Sequence, residues 1–191
     1  MLHKNVIVFG SGKTGKSQLS RVLQEKLDCN TQETKNMLKS ISKVFPSDSE
    51  MTCEEFETKY LIEYIRRLSS GPDFFANKKN IIEINTSNID EIIQNIDYER
   101  NVVVGLIHGD ITPDDLFKNI KSNETDLDIT HYLTDESLKT MINDYLFEDK
   151  TITECFNSNN LKCFETSGNR EEVFDEISNE ILNNSNSLVL K

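Results

Sequence analysis

Eight consecutive residues near the start of the chain have the types and spacing to hold a phosphate. Gly10-Ser11-Gly12-Lys13-Thr14-Gly15-Lys16-Ser17 fits the pattern Gly-x-x-x-x-Gly-Lys-Ser/Thr. Glycines let a backbone wrap closely around an anion, so that amide N–H groups point inward at its oxygens. A helix starting at the end of such a loop adds its positive end. In this pattern Lys16 reaches the β- and γ-phosphates of a nucleotide and Ser17 ligates Mg²⁺. Lys13 supplies a second cation. The whole chain has 7 glycines, and Gly10, Gly12 and Gly15 all lie in this stretch, so the sequence concentrates its backbone freedom here.

The flanking elements suit the loop. Asn5–Phe9 (NVIVF) is a short apolar run that reads as a buried strand, and Gln18–Leu27 carries Leu19, Val22, Leu23 and Leu27 at helical spacing. The order strand, loop, helix is the context the motif requires. Further along, residues 28–57 are polar with weak periodicity and read as a long loop or a loop with a short helix. Thr58–Leu68 suits a strand by its Tyr and Ile content and a helix by its length. Ser69-Ser70-Gly71-Pro72 signals a turn, and Asn80–Asn85 a strand. If Thr58–Leu68 is a strand, the two form a hairpin. Val102–Ile107 is a continuous apolar strand of the kind covered on both faces. Thr112-Pro113-Asp114-Asp115 looks like a helix start. A short strand is expected at Ile129–Leu133, a helix at Leu138–Phe147, a strand at Leu161–Phe164, and an amphipathic helix at Glu171–Leu182. This alternation predicts an α/β fold with a mainly parallel sheet between helical layers. It is expected to form a single domain over residues 1–182, followed by a polar tail, 183–191.

Composition narrows the function. The net charge is −12 over 191 residues, but residues 1–45 carry +5 and the remainder −17. The acidic body argues against nucleic-acid or anionic-membrane binding, while the basic N-terminal stretch can hold an anion. The four cysteines have no Cys-x-x-Cys spacing, which suggests reduced thiols in a cytoplasmic protein. There is no apolar run of membrane-spanning length and no lipid-anchor motif.

The loop, in this glycine register and followed by Gln18-Leu19, resembles the Ras/Rab-like small GTPases. Asn80–Asn88 (NIIEINTSN) resembles that family's strand ending in Asp-x-x-Gly, with Asn85 for the aspartate and Asn88 for the glycine. Val102–Lys121 resembles the next strand and helix. Phe164-Glu165-Thr166-Ser167-Gly168 resembles the Glu-Thr-Ser-Ala loop that touches the base, and Tyr132–Asp135 lies near the place for Asn-Lys-x-Asp. The resemblance implies a three-layer P-loop NTPase fold with a Ras-like mixed sheet. It also implies a nucleotide site at Gly10–Ser17, Thr166 and Ser167, taking GTP, GDP or ATP with Mg²⁺ at Ser17. Thr58 is a candidate for the family's switch threonine, although a strand-start threonine is the plainer reading. The departures weaken catalysis. An asparagine at 85 lacks the negative charge that positions Mg²⁺, and Ile89 cannot orient water. The resemblance therefore implies a pseudo-GTPase, a protein-binding or scaffold module in trafficking or complex assembly, whose partner meets residues 28–57 and 69–79.

The alternative is an ATP-dependent kinase of small molecules or nucleotides, which shares the loop and the α/β layout. Glu83 or Asp110 would then supply the acidic group, and Lys118 and Lys121 would neutralise the transferring phosphate, unless they are merely a solvated helix face. Only five arginines occur, without an arginine-rich lid. His3, His108 and His131 are dispersed without ligand spacing, and Arg66 and Arg67 read as surface charges. The sheet discriminates the two readings. A hairpin with an antiparallel edge strand marks the Ras-like layout, and five parallel strands mark a kinase.

Overall fold

The computed structural model describes residues 5–27, 29–46, 50–70, 79–84, 88–125 and 128–183. Strand β1 (Asn5–Gly10) leads through the phosphate loop into α1 (Lys16–Leu27). Then come β2 (Asn30–Glu33), α2 (Thr34–Val44), α3 (Cys53–Ser70), β3 (Asn80–Ile84), α4 (Ile89–Gln94) and β4 (Asn101–Ile107). The chain continues with α5 (Pro113–Asn123), a 3-10 turn (Ile129–Tyr132), α6 (Asp135–Ser158), β5 (Cys163–Glu165) and α7 (Arg170–Asn183).

The five strands form one sheet in the order β2-β3-β1-β4-β5, and every pair in it is parallel. β1 lies at the centre, with Val6 opposite Ile81 of β3 and Val102 of β4. All residues of β1, β3 and β4 are buried, which is why these strands read as unbroken apolar runs. Their side chains alternate between two cores. Ile7, Phe9, Ile82, Ile84 and Val103 face one core with Leu38 of α2, Leu61 and Ile65 of α3, and Ile152 and Phe156 of α6. Val6, Val8, Ile81, Val102 and Val104 face the other, with Leu19 and Leu23 of α1 and Phe174 and Ile177 of α7. The architecture is a three-layer α/β sandwich. A third, separate core joins Leu116 and Ile120 of α5 to Leu138 and Ile142 of α6.

This sheet corrects the mixed, Ras-like one expected above. Thr58–Leu68 is not a strand but the interior of α3, with Thr58, Leu61, Ile65 and Leu68 buried on one face. There is accordingly no hairpin to β3. The edge next to β3 is instead β2, which arises within the stretch expected to be mostly loop and pairs parallel to it, Asn30 opposite Asn80. Ile129–Leu133 forms a 3-10 turn rather than a strand. The predicted start of α5 is confirmed: the Thr112 hydroxyl accepts the Asp115 N–H, with Pro113 in the first turn.

Packing along the centre of the sheet is tight enough to test. A Cβ added at Gly105 of β4 would lie 2.7 Å from Phe156 Cε1 and 2.9 Å from Cys163 Sγ. Phe156 is fully buried, with its ring edge-on to Phe9 at 5.7 Å, so it has no space to retreat. Gly105→Ala is expected to cost about 1–3 kcal/mol through overpacking. Denaturant unfolding checks this, and an unchanged midpoint contradicts it.

Candidate functional site

The carboxyl ends of parallel strands are where an α/β sheet places a ligand site. The phosphate loop leaves β1 at that edge. Its shape is set by two left-handed residues, Lys13 at φ 63° and Gly15 at φ 92°. Glycine adopts this conformation freely, whereas a lysine does so at a cost of about 1–2 kcal/mol. Inside the turn the Thr14 hydroxyl donates to the Ser11 carbonyl at 2.9 Å. The buried Lys16 ammonium donates to the carbonyls of Gly10 at 2.6 Å and Ser11 at 2.8 Å, which holds it against the loop. Outside the turn Arg170, at the start of α7, donates to the Lys13 carbonyl at 2.8 Å and to Thr166 O at 3.3 Å. Its charge thus pins the loop to the β5–α7 connection.

Ser17 opens α1, and its hydroxyl donates to Glu83 Oε2 of β3 at 2.9 Å. Glu83 is 4% exposed, and its second oxygen, Oε1, is buried without a hydrogen-bond partner among the described residues. A carboxylate with an unused buried oxygen is costly unless a cation or its bound water completes it. The hydroxyl and carboxylate together are the hard oxygen set that Mg²⁺ takes in a site shared with substrate phosphates, so the residues present fit that ion. Among the described residues no group of three or more His, Cys, Asp or Glu forms an all-protein cage.

The end of β4 and helix α6 close the other side of the loop. Asp149, buried on α6, accepts from the Ser11 hydroxyl at 2.5 Å and from the His108 backbone N–H at 2.8 Å. His108 Nδ1 lies 2.9 Å from the same carboxylate, while its buried Nε2 has no hydrogen-bond partner among the described residues. Tyr145, one turn earlier, lies so close that a Cβ at Gly12 would collide with its ring. Beyond the loop's far corner, Lys13 Nζ lies 2.5 Å from Asp128 Oδ1, just before the 3-10 turn.

The remaining sequence candidates fall as follows. Thr166 is buried, and its hydroxyl is spent on the Ile107 carbonyl at 3.1 Å; Ser167 beside it is exposed. Thr58 is neither a switch threonine nor a strand start, because it lies inside α3, donates to Glu54 O and accepts from Asn88. Ile89 is buried in the core rather than facing a water site. Asn85 and His3 lie outside the described residues. Of the two acidic candidates, Glu83 meets the loop, while Asp110 is exposed after β4. Lys118 pairs with Asp115 on the solvated face of α5, and the half-buried Lys121 pairs with Glu124 and with Asp135 of α6. Arg66 and Arg67 both bind Glu63 at the surface. Asp149 and Arg170, which brace the loop, carried no local signal because each reaches it from more than 130 residues away.

No protein-family model matches the chain, and no curated protein does. Solved structures do. A gluconokinase from Sinorhizobium meliloti 1021 matches with a TM-score of 0.59 at 13% identity, over 95% of this chain and 93% of that one. A shikimate kinase from Bacteroides thetaiotaomicron matches with 0.58 at 14%, over 94% and 97%. A deoxyadenosine kinase from M. mycoides matches with 0.51 at 14%, over 94% and 100%. The fold is that of the P-loop kinases. This likeness and the all-parallel sheet overturn the resemblance to Ras/Rab-like GTPases, and the pseudo-GTPase scaffold reading falls with it. The loop motif misled because its physics is common to both folds, whereas the edge strand that separates them carried no motif. No helix among the described residues is long and apolar enough to cross a membrane.

The Lys13–Asp128 pair has a pH signature. The Lys13 ammonium, followed by the Thr125 N–H, holds the Asp128 carboxyl at about 2, below its ordinary 3.8. A depressed carboxyl stabilises the fold above the unfolded value and loses that contribution as pH falls through the folded one. Asp128→Asn is therefore expected to flatten the loss of stability between about pH 4 and pH 2. Unfolding midpoints measured across that range check it, and identical acid slopes in the two proteins contradict it.

Proposed function

We propose that this protein is a kinase that transfers the terminal phosphoryl group of ATP to a small-molecule acceptor. The observation that carries the reading is the Ser17–Glu83 pair, with its buried unpaired oxygen, set beside a complete phosphate loop on a five-stranded parallel sheet. The names of the structural neighbours support it. In this reading the loop from Gly10 to Ser17 cradles the phosphates through its backbone N–H groups, and the end of α1 adds its dipole. Lys16 leaves the Gly10 and Ser11 carbonyls for the β- and γ-phosphate oxygens. Ser17 and Glu83 would hold Mg²⁺, which would supply positive charge to offset that of the phosphates. The acceptor hydroxyl oxygen bonds to the γ-phosphorus while the bond to the β,γ-bridging oxygen breaks. The hydroxyl proton passes to solvent water, and ADP departs with the electron pair of the broken bond. Positioning and charge compensation supply nearly all of the catalysis in such a transfer.

Calorimetric titration tests the nucleotide half of the reading. Mg²⁺–ATP is expected to bind the native chain at one site and to bind Lys16→Ala far more weakly. Equal heats from the two proteins, or none from a folded native chain, reject it.

A further inference from the structure

Ser11 stands between two glycines, so its side chain is where the permissive stretch Gly10-Ser11-Gly12 can be held. Its buried hydroxyl donates to Asp149 Oδ1 of α6 at 2.5 Å. The carbonyl of the same residue accepts from Lys16 Nζ at 2.8 Å and from the Thr14 hydroxyl at 2.9 Å. Fixing the Ser11 side chain therefore helps to fix the carbonyl that holds the Lys16 ammonium.

Asp149 is itself held by the end of β4. Its Oδ2 accepts the His108 backbone N–H at 2.8 Å and lies 2.9 Å from His108 Nδ1. The chain at His108 is tied from its other side too, where the Ile107 carbonyl accepts the Thr166 N–H at 2.9 Å and hydroxyl at 3.1 Å. The His108 ring stacks on that of Tyr145, with centroids 6.3 Å apart and planes 21° from parallel. Ser11, His108 and Asp149 are all buried, so no solvent competes for these bonds.

The tautomer of His108 follows from its partners. Oδ2 already serves as acceptor for the backbone N–H, so the hydrogen of the second contact belongs to Nδ1. Nε2 is buried without a hydrogen-bond partner among the described residues. A neutral ring leaves a bare lone pair there. A charged ring leaves an N–H with no acceptor, which is the costlier orphan.

We propose that His108 and Asp149 are positioning residues of the nucleotide site: His108, neutral and protonated on Nδ1, orients the Asp149 carboxylate, which holds Ser11 and thereby sets Lys16. This rests on the nucleotide-site reading above and names what holds that site in shape. Both residues act through Lys16. An ammonium displaced from its place loses charge-assisted bonds to the phosphate oxygens.

Nitrogen-15 spectra of the histidine rings in the full chain test the tautomer without any ligand. For His108 they are expected to show hydrogen on Nδ1 and none on Nε2, and hydrogen on Nε2 overturns the assignment. Calorimetry with Mg²⁺–ATP tests the positioning, with thermal melts showing which variants are folded. Ser11→Ala and His108→Gln are each expected to bind about tenfold more weakly than the native chain. An asparagine places its amide nitrogen about where Nδ1 stands, so His108→Asn is expected to recover most of what His108→Gln loses. Ser11→Ala leaves the Asp149–His108 pair whole and carries the test if His108→Gln does not fold. In a Lys16→Ala background, Ser11→Ala is expected to add no further loss. Native affinity in folded Ser11→Ala and His108→Gln proteins overturns the positioning role and leaves the nucleotide site standing. A His108→Asn protein as weak as His108→Gln overturns the role of Nδ1. An undiminished effect of Ser11→Ala in the Lys16→Ala background overturns the route through Lys16. If the folded native chain does not bind Mg²⁺–ATP, both readings fail.

Discussion

Replacing Lys16 with alanine is expected to lower phosphoryl transfer by about 10³-fold and to leave a folded protein. The size follows from charge. A unit charge about 4 Å from a phosphate oxygen is worth about 4 kcal/mol at the effective dielectric of a partly covered site, and each 1.4 kcal/mol is a factor of ten. Much of that interaction grows as charge develops on the β,γ-bridging oxygen, so the loss falls on kcat as well as on binding. The geometry makes Lys16 hard to replace. Its ammonium is buried and held at 2.6 and 2.8 Å by two loop carbonyls, so the charge has a fixed place beside the loop that a mobile solvent cation lacks. Steady-state kinetics and circular dichroism on the same preparation check this. A folded Lys16→Ala protein with native turnover excludes the loop as the phosphate site.

Glu83→Gln is expected to separate stability from activity. Glu83 is a carboxyl side chain at 4% exposure, with one oxygen satisfied by Ser17 and the other by nothing among the described residues. A neutral amide keeps an acceptor for Ser17 and removes the buried charge, which is expected to stabilise the resting fold by about 1 kcal/mol, or about 2–4 °C in Tm. The same change removes the negative charge from the oxygen pair offered to Mg²⁺, so turnover is expected to fall by about 10²–10³-fold. A functional site commonly carries such a cost in stability. A scan of turnover against Mg²⁺ concentration together with thermal melts checks both halves. If Tm falls and turnover is unchanged, Glu83 is a structural acid and not a metal-side one.

The loop, its strand and its helix were legible from the sequence because their signals are local. Glycine spacing, an apolar run and a 3.6-residue period each act within about a dozen residues. The end of β4, the Thr112 cap and α7 were legible for the same reason. The sheet edge was not. Asn30–Glu33 (NTQE) has no apolar alternation, and it becomes a strand because Asn80–Ile84 offers it a partner across 50 residues. Thr58–Leu68 suited either structure by composition, and the buried face formed by Thr58, Leu61, Ile65 and Leu68 decides for helix only once a sheet is there to cover. The resemblance to small GTPases rested on what the two folds share and so could not separate them. Glu83 was one of two acids in view, and pairing with Ser17 selects it. Asp149, Arg170 and Asp128 reach the loop from remote elements, and spacing along the chain carried nothing about them.

The most direct measurement is an acceptor screen with ATP labelled at the γ-phosphate, in Mg²⁺, across nucleosides, nucleotides and sugars, with Lys16→Ala run in parallel. Transfer of label to one acceptor class by the native protein, lost in Lys16→Ala, is the result predicted. No labelled acceptor from a native protein that is folded and binds ATP, or transfer that persists in Lys16→Ala, would contradict it.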